Sequence, residues 1–454
     1  MVPSIVIVGG GASGTLCAIR LLDTLKGSAK ISIIESKPEL GTGIAYGTKF
    51  ESHLLNVRAI GMTAHPEDPE HFVHWLAERR GETSEAAHPM FAQRKEYAAY
   101  LAEELRLSQA LSSEIALQHI EDRAVSVQCS GGGYEVGLQS GSRLQATHLV
   151  LAMGNRSPKL PPVLRDIADP RVIVDPWGTE GLSSIASHHR VLLVGAGLTM
   201  IDTVLLLREM GHFAKIDAVS RHGLMPAVHT RAKANAPFDP SAESVRVVFK
   251  NIIRAARAQV ESGGDWRSVI DSVRPHVQTT WVRLPLEEKR RFMRHLQTLW
   301  DVHRHRVAPP VWEEIAALQA AGTLSVCSGR IFSVKPWDAG LEVSFVNRSG
   351  KVSEVFVDRI VNCTGPNPDW SNIGDPLLST LIEAGLAKYD ELGQGICVNR
   401  SCSVVNPNGS VSETLYAIGP LCRGTLWETT AIPEIRGQAN LISTSIAQVE
   451  RVLA

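Results

Sequence analysis

No two cysteines in this chain are spaced as C-x-x-C; the seven that occur, at 17, 129, 327, 363, 397, 402 and 422, are scattered. That excludes a dithiol relay and offers no paired ligands for structural zinc. Net charge is lacking too. Forty-six Lys and Arg against 47 Asp and Glu leave a formal charge of -1, which gives no global electrostatic argument for nucleic acid or an anionic membrane. No apolar run approaches the length of a membrane span. The first apolar run starts close to the N-terminus and ends in glycines, with no room for a signal peptide. The expected compartment is therefore the cytoplasm, where most of the cysteines act as small apolar fillers. What remains is an ordinary globular composition, 44% hydrophobic and 20% charged over 454 residues, enough for about two or three domains.

The strongest signal opens the chain. Ile5, Val6, Ile7 and Val8 read as a buried parallel strand. They run into Gly9-Gly10-Gly11-Ala12-Ser13-Gly14, a G-x-G-x-x-G sequence, and then into a helical pattern. In such a turn Gly9 permits the tight bend, Gly11 lets backbone approach a pyrophosphate, and Gly14 lets the helix pack closely on the strand. The phosphates would meet the unsatisfied N–H groups of the helix N-terminus. A second strand, ISIIE, ends in Glu35, where an acid can hold the hydroxyls of an adenosine ribose.

Downstream, GTGIAYGT (41–48) is expected to be loop backbone that approaches a ligand closely. Asp68 is expected to cap a helix with Pro69 in its first turn, and residues 95–107 form a second helix. Residues 115–153 read as a β-meander ending in the buried strand HLVLAMGN. The plan then repeats. RVLLVGAGLTMID (190–202) is another strand, glycine turn and helix start, IDAVSRHG its second strand, 324–357 its alternating strands and RIVNCTG its close. The offsets agree: 24 positions separate Gly11 from Glu35, and 24 separate Gly197 from Arg221. An acid suits a free ribose 2′-hydroxyl and an arginine a 2′-phosphate, so the first site suits FAD or NAD and the second NADPH. Ser220 can add a hydrogen bond to that phosphate. Met200 replaces the third glycine of the second turn, which loosens helix packing there without removing the site.

The second copy carries an extra helical block, about 230–320, in which Arg290, Arg291, Arg294, Arg304 and Arg306 mix with His295, His303 and His305 before Pro309 and Pro310 end it. Two readings stand side by side: a wall that recognises anionic groups, and a solvated helix face. No metal site is expected, since His303 and His305 are two apart on an expected helix.

Taken together, GGGASG, GTGIAYG, LLNV, VGAGLTMID, SRHGLMP, RFMRHLQTLWDVHRHR, VNCTGPNPDW and IGPLCRGTLWETTAIPEIRGQA resemble the two-dinucleotide-binding-domain flavoproteins over nearly the whole chain. In particular they resemble a bacterial family of FAD/NAD(P)-binding proteins related to N-hydroxylating class B flavin monooxygenases. The resemblance implies an α/β fold of two nested Rossmann-like domains, an FAD domain (1–165 and 358–454) interrupted by an NADPH domain (166–357). It places FAD on Gly9, Gly11, Ser13, Gly14 and Glu35, with Tyr46, Leu55, Asn56, Val57 and Arg94 nearer its ribityl or ring end. It places NADPH on Gly195, Gly197, Leu198, Thr199, Ser220 and Arg221. Pro420 stands where disulfide reductases place an aspartate, and the F-x-G-x-x-x-H sequence of Baeyer–Villiger enzymes is absent. The implied activity is NADPH-dependent oxidation, with molecular oxygen, of a small amine or amino acid. An NADPH:acceptor reductase and a non-catalytic flavin-binding redox sensor are the alternatives. No catalytic side chain is identified.

Overall fold

The computed structural model describes residues 2–453 apart from 168, 233, 234, 236 and 237, and the side chains of 179, 180 and 453 lie outside it. The first apolar run forms β1 (Ser4–Val8), and β2 (Ala29–Ile34) pairs with it in parallel. Parallel neighbours need a crossover, and the helix Ala12–Thr24 supplies it. A long helix, Arg94–Leu111, leads into β3 (Ile115–Ile120), which pairs in parallel with β2. Only then comes an antiparallel meander: β4 (Ala124–Ser130), β5 (Gly133–Leu138) and β6 (Arg143–Ala146). β7 (His148–Leu151), buried at every position, returns beside β1.

The second half repeats this plan with β8 (Val172–Ile173), β9 (Val191–Val194), β10 (Ile216–Ser220) and β11 (Leu324–Ser328). A meander of β12 (Arg330–Trp337), β13 (Gly340–Val346) and β14 (Val352–Val357) follows, then β15 (Arg359–Asn362). β16 (Ser403–Val405) and β17 (Val411–Ala417) complete the strands. The two main sheets run β16-β17-β7-β1-β2-β3 and β11-β10-β9-β15-β8. Setting β1 on β9 superposes the orders β3-β2-β1-β7-β17 and β11-β10-β9-β15-β8. In both, strand order reverses beside the strand that ends in the glycine turn, the place where doubly wound sheets bind ligands.

Several expectations change. The stretch 115–153 is not one meander: its first and last strands belong to the parallel sheet, where both faces are covered. β15 pairs with β9 and β8, so the second nucleotide fold extends through Asn362 and the boundary at 358 falls too early. GTGIAYGT contains one helical turn, Gly43–Tyr46, with Gly41 and Gly43 at φ of 82° and 52° absorbing the bends around it. The helix expected from Asp68 begins at His71 (His71–Arg80); the Asp68 carboxylate takes the Glu70 N–H in the turn before it. Pro309 and Pro310 do not end a helix. They open the next one, Pro309–Ala320, whose Val311 and Ile315 pack on the second sheet as its crossover. The rest of the extra block forms its own small core around Trp281, Phe292 and Trp300, closed by Trp427 from the C-terminal part of the chain.

Candidate functional site

The two glycine turns are built alike. Gly9 has φ of 105° and Gly195 φ of 124°, a region that disfavours side chains. A Cβ on Gly9 would lie 2.2 Å from the Ala152 carbonyl oxygen, and one on Gly195 would lie 2.3 Å from that of Cys363. Gly11 and Gly197 each precede a helix (Ala12–Thr24, Leu198–Glu209) in extended conformation, with no side chain capping the first N–H groups. Those donors are open to an anion. A Cβ at Gly14 would sit 1.9 Å from the Gly9 carbonyl oxygen, so close helix packing does demand glycine there; Met200, at the matching place, is fully buried.

Glu35 sits just beyond β2, where its carboxylate accepts the Gly10 N–H at 3.0 Å and the Lys37 N–H at 3.1 Å. Gly9, Gly11, Ser13 and Glu35 share the lining of a cavity of about 210 Å³ with Pro420. Gly195, Gly197, Ser220 and Arg221 line another of about 980 Å³. There Arg221 is exposed, and Ser220 Oγ accepts the Gly223 N–H at 3.0 Å, which leaves its hydroxyl proton to donate. Arg330, at the start of β12, shares this lining; no motif announced it.

The remaining expected residues gather elsewhere. Tyr46, Leu55, Asn56, Val57 and Arg94 meet Leu198 and Thr199 across a third cavity of about 560 Å³. The extra block adds Arg304, His305 and Arg306 to its wall, and the C-terminal part adds residues 430–432. Of the Arg/His segment, residues 304–306 line this cavity. Arg290, Arg291, Arg294, His295 and His303 lie outside this cavity.

Arg94 also has a structural part that the sequence reading did not include. It is buried, its Nη2 donates to both Asp202 oxygens at 2.9 Å, and its Nε donates to the Leu54 carbonyl at 3.0 Å. It therefore clamps the first nucleotide fold to the helix that follows the second glycine turn. His53 reinforces the clamp by donating through Nε2 to the Asp202 carbonyl at 3.0 Å. Asp202 and His53 were missed: Asp202 closes VGAGLTMID, a stretch read only for a nucleotide.

Arg58 donates to the Thr230 carbonyl, while the other cavity arginines pair with carboxylates. Arg304 donates to Glu428 at 3.1 Å and Arg274 to Glu434 at 2.7 Å and 2.9 Å, while Arg306 contacts Asp271 and Arg156 contacts Asp375. The histidines are neutral. Burial and the neighbouring Arg306 hold His229 down to about 4; burial and the Arg304 and Arg423 guanidiniums hold His305 down to about 3. His229 Nε2 lies 3.0 Å from the Asn56 carbonyl, which can only accept, so the proton is on Nε2 and the lone pair on Nδ1.

Two parallel sheets, each with a glycine turn at its reversal point and both turns leading to one central cavity, define a protein of two nested dinucleotide-binding folds. Residues 6–156 match the family model described as FAD-NAD(P)-binding. Among solved structures, the ornithine N-hydroxylase of Kutzneria sp. 744 superposes with a TM-score of 0.68 at 16% identity, covering 99% of this chain and 100% of that one. The cadaverine monooxygenase of Erwinia amylovora gives 0.66 at 13% identity, covering 98% and 94%. L-lysine 6-monooxygenase from Pseudomonas syringae gives 0.64 at 16% identity, covering 99% of both chains. At these identities the likeness establishes the fold. No curated protein sequence matches the chain.

Proposed function

We propose that the chain is an FAD- and NADPH-dependent monooxygenase that hydroxylates a small amine or amino acid. One observation carries the reading. The residues expected at the flavin's ring end and the residues after the second glycine turn, Leu198 and Thr199, face one cavity of about 560 Å³, so a hydride donor and its acceptor can meet there. The first site suits FAD: free helix N–H groups and side-chain-free space at Gly11 for the pyrophosphate, and a carboxylate at Glu35 for the ribose hydroxyls. Bound FAD supplies the electron transfer and oxygen chemistry.

The chain's own residues bind, orient and exclude water. Ser220 and Arg221 take the 2′-phosphate of NADPH. The Arg94/Asp202 clamp fixes the distance between the two nucleotide sites. Neutral His229 offers Nδ1 as an acceptor for a substrate N–H, and pairing of the arginines other than Arg58 lowers the net charge of the wall. In the net reaction one oxygen atom enters the substrate, the other leaves as water, and NADPH supplies two electrons.

The test has two stages. NADPH should reduce the bound flavin without oxygen, and admitting oxygen with small amines or amino acids should give equal consumption of NADPH and oxygen and one hydroxylated product. Reoxidation by quinones or dyes but not by oxygen would instead make the protein a reductase; no reduction by NADPH would make it a flavin-binding sensor.

A further inference from the structure

We propose that His65, His71 and Glu104 form a binding site for one divalent transition-metal ion of the zinc class, behind the wall of the central cavity. The three come from separate segments: the loop before the helix His71–Arg80, the first residue of that helix, and the helix Arg94–Leu111 one turn beyond Tyr100. Nε2 of His65 lies 2.8 Å, and Nε2 of His71 3.8 Å, from the same Glu104 oxygen. All three donor atoms fall within 4.8 Å of one another. A tetrahedral ion with bonds near 2.0–2.2 Å spreads its ligands roughly 3.3 Å apart, which these separations bracket.

The far sides of both rings carry the second observation. His71 Nδ1 is 3.0 Å from the Tyr100 hydroxyl, and His65 Nδ1 faces Asp23 at 3.9 Å and Glu67 at 3.8 Å. With no ion bound, His65 Nε2 donates to the Glu104 carboxylate; an ion would take the place of that proton, and the Nδ1–H of each ring would then face these oxygens, as in ligand imidazoles. Charge agrees. With neutral imidazoles, Asp23, Glu67 and Glu104 against Arg20 leave three negative charges and one positive, a sum of -2 that a dication balances. Glu104 is satisfied by one protonated imidazole, and a second one with ring centroids 4.5 Å away would add repulsion. Glu104 is buried while His71 is 35% exposed, so a bound ion keeps a route to water for its fourth ligand. Residues from three segments form no sequence motif, which is why no metal was expected from the sequence. The ion would pin the loop around Thr63, whose carbonyl Arg436 holds at 2.9 Å, directly behind Met62 of the cavity wall.

The test uses the flavin-loaded protein stripped of metal by chelation. Titration with Zn²⁺ should show one tight equivalent by calorimetry and raise the unfolding temperature by roughly 2–6 °C at saturation. Co²⁺ should give the intense visible absorption of a four-coordinate N/O site. His71→Gln, at the half-exposed ligand, should keep its flavin and lose more affinity than the roughly 10–100-fold that removal of an outer partner costs. Glu104→Gln should behave likewise. Absence of a stoichiometric Zn²⁺ or Co²⁺ site, or a site that survives His71→Gln unchanged, overturns the proposal. Because the readouts are binding and stability, a failed hydroxylation assay leaves this test intact.

Discussion

Arg221 and Glu35 occupy matching places and carry opposite charges, and the nucleotide preference of each half should follow from that one difference. A guanidinium on a 2′-phosphate contributes on the order of 1.5–3 kcal/mol, so NADPH should be preferred over NADH roughly 10- to 150-fold. Arg221→Ala should remove most of that preference by weakening NADPH alone. Anaerobic flavin reduction with each coenzyme measures it, and an unchanged ratio would move the phosphate contact to Arg330. Glycines make a second pair of opposites. A Cβ at Gly11 meets nothing closer than the Gly43 Cα at 3.4 Å, whereas one at Gly14 would collide with backbone at 1.9 Å. Gly11→Val should therefore fold and fail to retain FAD, while Gly14→Val should fail to fold; flavin absorbance read beside circular dichroism separates the outcomes. The positions of these residues were legible in the sequence because each is set by local geometry at a fixed offset. Arg94 was legible as a cavity residue, but its pairing was not, because Asp202 lies 108 positions away.

Elements transmit strain that single residues do not reveal. The Arg94/Asp202 pair joins the helix Arg94–Leu111 to the helix Leu198–Glu209 with both side chains about nine-tenths buried. Removing one partner strands a buried charge, so Arg94→Met should destabilise the protein by about 3–5 kcal/mol, and adding Asp202→Leu should restore much of the loss. A denaturant double-mutant cycle checks both. β7 carries a different liability. His148 is 1% exposed at its first position, and burial holds it down to about 4 despite Glu450 at 3.5 Å. A folded-state value below the unfolded one favours the neutral ring, so its stability contribution is complete above pH 6.5. It is lost as pH falls toward 4. Between pH 7.5 and pH 4 the wild type should lose about 3 kcal/mol more than His148→Asn, read from denaturant unfolding at each pH. Strand and helix identities were legible from periodicity. Which sheet β3 joins was not, because pairing depends on crossovers that propensity does not encode.

For the whole molecule the duplication was the most legible feature, since glycine turns and strand ends recur at equal offsets. The way the extra helical block seats was the least legible, because its contacts are long-range ion pairs and ring stacking. Sulfur chemistry should be silent at this scale. Cys17, Cys363, Cys402 and Cys422 are buried, and burial pushes the thiols of Cys17 and Cys363 up to about 12. Alkylation of the native protein should stop at exposed Cys129 and partly exposed Cys327 and Cys397, and leave the rate of flavin reduction by NADPH unchanged in anaerobic stopped flow. Finally, the wall of the central cavity has a history in time. Arg304 is held by Glu428, 124 residues later, and Trp281 stacks on Trp427 with centroids 4.6 Å apart. At about 5–20 residues per second, a ribosome makes the arginine roughly 6–25 s before the carboxylate that neutralises it. During that interval the helical block carries an unmatched cation and an uncovered tryptophan, which a chaperone could cover.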